Sequence, residues 1–151
     1  MVTDDELRAA MRRFPVGVAV LTLPRPFGVT IGSLSSLSLE PPLVGVAVGR
    51  NTQAHELIRD YGGFALSLLA SGQEALAQHF ARNVPPIAQW EGIEAREGTH
   101  GPLLAGATAW LDCAVRSEHD AGDHTYFIAH VDSVELGSGA RGLVYVQGSY
   151  E

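Results

Sequence analysis

The chain has no lysine. All ten of its basic residues are arginine, set against seventeen acidic ones for a formal net charge of -7. A nucleic-acid partner needs a basic face, and that balance argues against one. No apolar run approaches the ~20 residues of a membrane span. The opening stretch TDDELRAAMRR is too acidic and amphipathic for a secretory signal. The expected protein is soluble and cytoplasmic, with no membrane partner. A lone cysteine, Cys113, excludes an internal disulfide framework and fits a reducing compartment. Set between apolar residues, it reads as a small buried hydrophobe.

Several chemical signatures are missing as well. No G-x-G-x-x-G follows a strand and there is no Walker A loop, so a dinucleotide would have to be held another way. No histidine or cysteine set has zinc spacing. His119, Asp120, Asp123 and His124 alone suggest a metal, but they fall in a turn, and no metal is expected. No serine sits in a nucleophile elbow.

What is present suits one domain spanning residues 1–151, at 46% hydrophobic content. Its most informative stretch is Gly28 to Val48, where Thr30, Ser33, Ser35, Ser36 and Ser38 lie among strand formers. Hydroxyls and backbone N–H groups at that density suit phosphate and ribityl oxygens. A Ser/Thr-rich strand and turn without a ligand is the alternative. Pro41-Pro42 excludes helix before the second apolar run, Leu43–Val48.

Upstream, Thr3 and Glu6 form a capping-box pattern, and Leu7, Ala10, Met11 and Phe14 follow at helical spacing. Val16–Leu23 reads as one buried strand that turns back through Pro24–Gly28 into a hairpin. Asn51 or Thr52 can cap a helix over 54–61 that ends at Gly62-Gly63, and its start is a second candidate anion site. Phe64–Ala70 reads as a strand, and Ser71 with Glu74 as a second capping box before a helix carrying Phe80. Residues 83–101 lack a period and suggest a long, mobile excursion over the surface. Ala107–Val115 alternates cleanly as a strand. Glu118–Asp123 reads as a charged turn, Thr125–Leu136 as a strand, and Leu143–Val146 as the last strand. Six or seven strands with two or three short helices make a small antiparallel barrel, mainly β. Gly122-Asp123-His124-Thr125 delivers an imidazole to a strand mouth, where it can bond a ligand or stay solvated.

Taken together, these segments resemble the short-chain flavin reductases, the reductase components of two-component flavin-dependent monooxygenases. The resemblance rests on Thr30-x-x-Ser33-x-x-Ser36-x-Ser38-x-x-Pro41-Pro42-Leu43-Val44 and on Gly122–Thr125. Further matches are Arg12–Pro15 with Gly17–Val20, Phe64-Ala65, His79–Ala81, Gly106–Cys113, and Tyr145 with Gly148-x-Tyr150. It implies a Greek-key FMN-binding split barrel, a homodimer, and reduction of FMN or FAD by NADH or NADPH. Reduced flavin would then diffuse to a partner monooxygenase. By resemblance, Thr30, Gly32, Ser33 and Leu34 face the flavin ring and ribityl chain, and Ser36 and Ser38 its hydroxyls and phosphate. Arg50, Asn51 and Thr52 add phosphate contacts, and Phe80 and Ala81 line the flavin. His124, with Asp123 and Tyr150, serves the nicotinamide. Hydride transfer asks for stacking rather than a general base, which accords with the lack of a catalytic dyad. An electron-transfer protein retaining FMN in the same barrel is the competing reading. Gly32 and Ser67 depart from the family's usual residues at their positions.

Overall fold

The N-terminal helix forms where its capping box places it. Thr3 Oγ1 accepts from the Glu6 N–H at 3.2 Å, and the Glu6 carboxylate accepts from the Thr3 N–H at 2.9 Å, opening α1 (Asp4–Met11). None of its residues is buried, its apolar Leu7 and Met11 included. The computed structural model describes residues 1–82 and 84–151. Asn83, the first residue of the expected excursion, lies outside them.

Val16–Leu23 is not one strand. The chain breaks at Val18, whose N–H donates to Leu143 and whose C=O accepts from Leu69. As a result β1 (Val16–Gly17) joins a small sheet, while β2 (Ala19–Leu23) enters the main one. β2 forms the expected hairpin with β3 (Phe27–Ile31). β4 (Ser35–Leu39) forms another with β5 (Pro42–Gly49) around Glu40-Pro41. Next come α2 (Gln53–Tyr61), β6 (Gly63–Leu68), α3 (Glu74–Ala81) and α4 (Pro86–Gln89). The short hairpin β7 (Ala95–Glu97) and β8 (Pro102–Leu104) leads into the long pair β9 (Ala109–Ala121) and β10 (His124–Leu136). β11 (Val144–Val146) and β12 (Ser149–Tyr150) complete the small sheet with β1.

The main sheet is antiparallel, with seven strands in the order β3-β2-β6-β9-β10-β5-β4. Its two edge strands, β3 and β4, are joined only by Gly32, Ser33 and Leu34. Six interstrand steps of ~4.8 Å would set flat edges about 29 Å apart, whereas four residue steps reach at most ~14 Å. The sheet must therefore curl into a barrel. Ser33 marks the closure: its hydroxyl donates to the Ala47 C=O and accepts from the Ala47 N–H, both at 3.0 Å.

Alternation along β2 explains two cores. Leu21 and Leu23 point into the curl with Phe64, Leu66, Val46 and Phe127, and Ile58 of α2 plugs one end. Val20 points outward beneath α3, with Phe80, Leu69, Leu104 and Leu143. Each such side chain contributes roughly 1.5–3 kcal/mol on burial, so β2, apolar on both faces, needs both layers.

Three more expectations change. Ser71 caps nothing: Gln73 stands at the N-cap of α3 and uses its Oε1 to accept from the Ala70 N–H at 2.8 Å. The described part of 83–101 is no loose excursion, since it contains α4 and β7 and packs through Gln89 and Trp90. Glu118–Ala121 is strand, and only Gly122-Asp123 turns, because cross-strand pairing carries the β9–β10 ribbon past the apolar core.

Candidate functional site

Where the barrel splits, a cleft of about 850 Å³ opens. β3 with Gly32 and Ser33 forms one wall, and the end of β5 with the start of α2 forms another. The end of α3, together with Arg82 and Gln89, makes the third. Gly28 is what lets the third wall close on the first: a Cβ there would fall 2.8 Å from the Phe80 ring. Phe80 cannot retreat, being fully buried and flanked by His79 and Trp90. Gln89 is buried too. Its Oε1 accepts from the Gly28 N–H at 3.1 Å and its Nε2 donates to the Gly28 C=O at 2.8 Å, so an amide stands in for a neighbouring strand.

The cleft hydroxyls direct their protons into the protein. Thr30 donates to the Ala77 C=O at 2.6 Å, Ser33 to Ala47, and Thr52 to the Gly49 C=O at 2.8 Å. Toward a ligand they therefore offer lone pairs. Donors come instead from the start of α2. Thr52 caps the His55 N–H at 3.2 Å, which leaves the Gln53 and Ala54 amides at the open end, where the helix dipole favours an anion.

At the cleft's far side His124, 47% exposed by its side chain, sits on the β9–β10 turn with Nδ1 2.7 Å from the Asp123 carboxylate. That hydrogen bond and the imidazole's charge hold Asp123 below the usual carboxylate range. With Nδ1–H donating to Asp123, a neutral ring presents Nε2 as an acceptor.

Of the residues expected at a site, Thr30, Gly32, Ser33, Asn51, Thr52, Phe80, Ala81 and His124 line this one cleft. Six lie elsewhere. Leu34 packs on the main core. Ser36 and Ser38 belong to β4, on the outer edge. Arg50 borders a neighbouring hollow with Arg59, Glu118 and Asp120. Asp123 reaches the cleft only through His124. Tyr150 packs against Tyr145 at 5.0 Å, and burial pushes its hydroxyl pKa up. Sequence reasoning missed Gly28's steric role and Gln89 altogether; the Gly28 signal was a glycine opening a strand, while nothing local marks Gln89. Among the described residues no group of three His, Cys, Asp or Glu side chains is placed to hold a metal ion. Cys113 is fully buried, and burial, with Asp112 beside it, pushes its thiol up to about 12.

This architecture is shared. Residues 11–151 match the family described as flavin reductase like domain. The chain belongs to that family. An NADH-dependent FAD reductase of Streptomyces globisporus is 35% identical to this flavin reductase-like chain, over 99% of it and 87% of the relative. The reductase component of 4-hydroxyphenylacetate 3-monooxygenase from Thermus thermophilus is 36% identical, over 97% and 94%. Among solved structures, the S. globisporus NADH:FAD oxidoreductase gives a TM-score of 0.94 at 34% identity, covering 100% of this chain and 95% of that one. BorF, the flavin reductase component of a bacterial two-component tryptophan halogenase, gives 0.92 at 32%, covering 99% and 97%.

A flavin nucleotide suits the cleft of a flavin reductase-like chain. Val29, Ile31 and Val48 offer apolar wall to a flat ring, the hydroxyl lone pairs suit ribityl O–H groups, and the Gln53 and Ala54 amides suit a phosphate.

Proposed function

We propose that residues 1–151 act as one NAD(P)H:flavin oxidoreductase unit that reduces FMN or FAD and hands the reduced flavin to a partner monooxygenase. One observation carries the reading: the anion-favouring start of α2 and the imidazole of His124 open into a single cleft between apolar walls.

When bound, the flavin supplies the chemistry, accepting a hydride from the nicotinamide. The chain binds and orients. The Gln53 and Ala54 amides would hold the phosphate, Val29 and Ile31 of β3 would line the ring, and Thr30 and Ser33 would accept from the ribityl chain. His124, fixed by Asp123, would accept at Nε2 from the nicotinamide carboxamide and so orient the hydride donor. Alignment of two rings is worth several orders of magnitude in rate and needs no proton-transfer group from the protein.

The working form we propose is a homodimer in the cytoplasm. An eight-residue helix with no buried face does not persist on its own, and Leu7, Met11 and Phe14 suit cover by a second copy. No helix among the described residues is long and apolar enough to cross a membrane.

Purified protein should oxidise NADH or NADPH only when FMN or FAD is supplied, followed by absorbance at the nicotinamide band. Tight flavin binding without such turnover would instead favour an electron-transfer protein in the same barrel.

A further inference from the structure

Arg50 sits directly behind His124 and bonds its backbone carbonyl. β5 ends at Gly49, which pairs with His124, and beyond it β10 has no further strand residue of β5 to pair with. Arg50 continues the pairing by other means. Its N–H donates to the Asp123 C=O at 3.1 Å, its Nε donates to the His124 C=O at 3.3 Å, and its guanidinium donates to the Asp120 carboxylate of β9. One residue thus ties the end of β5 to the ribbon, its main chain bonding the two-residue turn and its side chain both strands. Beyond its strand pairing and the Arg59–Glu118 ion pair, the tip has no packing to hold it: Glu118 to His124 are exposed, with Thr125 the first buried residue behind them. Thr125 is itself fixed by its hydroxyl, 2.8 Å from His55 Nε2. Thr125 is thus the first buried anchor behind the tip, and Arg50 bonds the chain in front of it.

We propose that Arg50 is a positioning residue: through the backbone of 123–124 it sets how far the His124 imidazole reaches into the cleft, and so governs nicotinamide docking without touching the flavin phosphate. Two features favour this over an anion contact. Arg50 borders the neighbouring hollow and not the cleft, and its guanidinium already has a carboxylate partner. Asp120 is almost fully exposed, so the ion pair itself adds little, and the Nε bond to the His124 carbonyl is the side chain's main brace.

The inference rests on the reductase reading, and the test separates the two. Arg50→Met keeps the stem and removes the fork. It should raise the KM for NADH about fivefold while leaving the flavin Kd, read by fluorescence quenching, within about twofold. Arg50→Lys should not rescue, because lysine has no donor at the Nε position to serve the His124 carbonyl while its end reaches Asp120. Combined with His124→Ala, Arg50→Met should add nothing further to the KM, as expected when one residue works through the other. In protein without flavin, the imaging of the tip by NMR should show the His124 ring-proton resonances shifted and broadened in Arg50→Met.

A weakened flavin Kd that Arg50→Lys restores would overturn the inference in favour of a phosphate contact, as would tighter flavin binding in Asp120→Asn. Additive effects with His124→Ala, or unmoved His124 resonances, would also overturn it. Wild-type protein that fails to oxidise NADH with flavin sinks the reductase reading alone, since the resonance test of Arg50 still stands or falls by itself.

Discussion

β3 and β4 come from one hydroxyl-rich run and are separated by three residues, yet they live in different surroundings. β3 carries Thr30, whose proton is taken by α3, and its wall faces the cleft. β4 carries Ser35, Ser36 and Ser38 at the opposite edge of the sheet, beside an 89%-exposed Leu39. Hydroxyl density is therefore a poor guide to which strand lines the cleft. What decides is whether the strand borders the split, and curling the sheet puts only one of the two there.

The contrast can be strained most severely at Gly28. Gly28→Val would drive its side chain into a Phe80 that has nowhere to go, costing about 1–3 kcal/mol of stability by overpacking and abolishing measurable flavin binding. Thermal unfolding and a flavin titration would read the two effects together. A stable variant that still binds flavin would show that the third wall is not part of the site.

Ser33→Ala comes next. It leaves both main-chain groups of Ala47 without their partner and should cost roughly 1–3 kcal/mol, with weaker flavin binding as the split loosens. Ser36→Ala on exposed β4 should stay within about ±0.5 kcal/mol and change flavin affinity by less than about twofold. If Ser36→Ala instead weakens flavin as much as Ser33→Ala, then the ligand reaches across the edge of β4, and the division drawn between the strands fails.

On the nicotinamide side, His124→Ala should raise the KM for NADH several-fold, about 1 kcal/mol, with the flavin KM little changed. The reverse pattern would mean that the two halves of the cleft are exchanged.

Smallest of all is the effect of acid on Asp123. Its pKa is lowered in the fold, so its contribution is present above the unfolded value of about 3.9 and is lost as pH falls through the folded one. Asp123→Asn should thus be slightly and evenly less stable than wild type above about pH 4, with the difference vanishing as pH falls through the folded value. A difference that persists at the acid end would point to another group.

Much of this was legible in local chemistry. Thr3 with Glu6, Thr52 and Gly62 announce helix ends because capping is decided by neighbours, and Gly62 indeed takes φ 68°. The hairpin through Pro24 is equally local. Where the reading failed, distant partners had intervened. Val16–Leu23 splits because Leu143 and Leu69 bond Val18 from far along the chain. The described part of 83–101 looks aperiodic because tertiary anchors hold it: Gln89 on Gly28, and the His100 N–H donating to the Asp112 carboxylate at 2.9 Å. Glu118–Ala121 reads as a turn because a solvated ribbon needs no apolar face. Within the site, the fate of each hydroxyl proton was invisible, since Ala77 and Ala47 lie 47 and 14 residues away from their donors.

The paired amide of Gln89 has a further meaning for how copies of this chain behave when concentrated. Outer strands are seams along which sheets can polymerise. On β3 the seam is covered at Gly28 by a side chain that satisfies both main-chain groups, which denies that point of the edge to an incoming strand. A residue at 89 that cannot do so would leave both groups of Gly28 open to pairing with another copy.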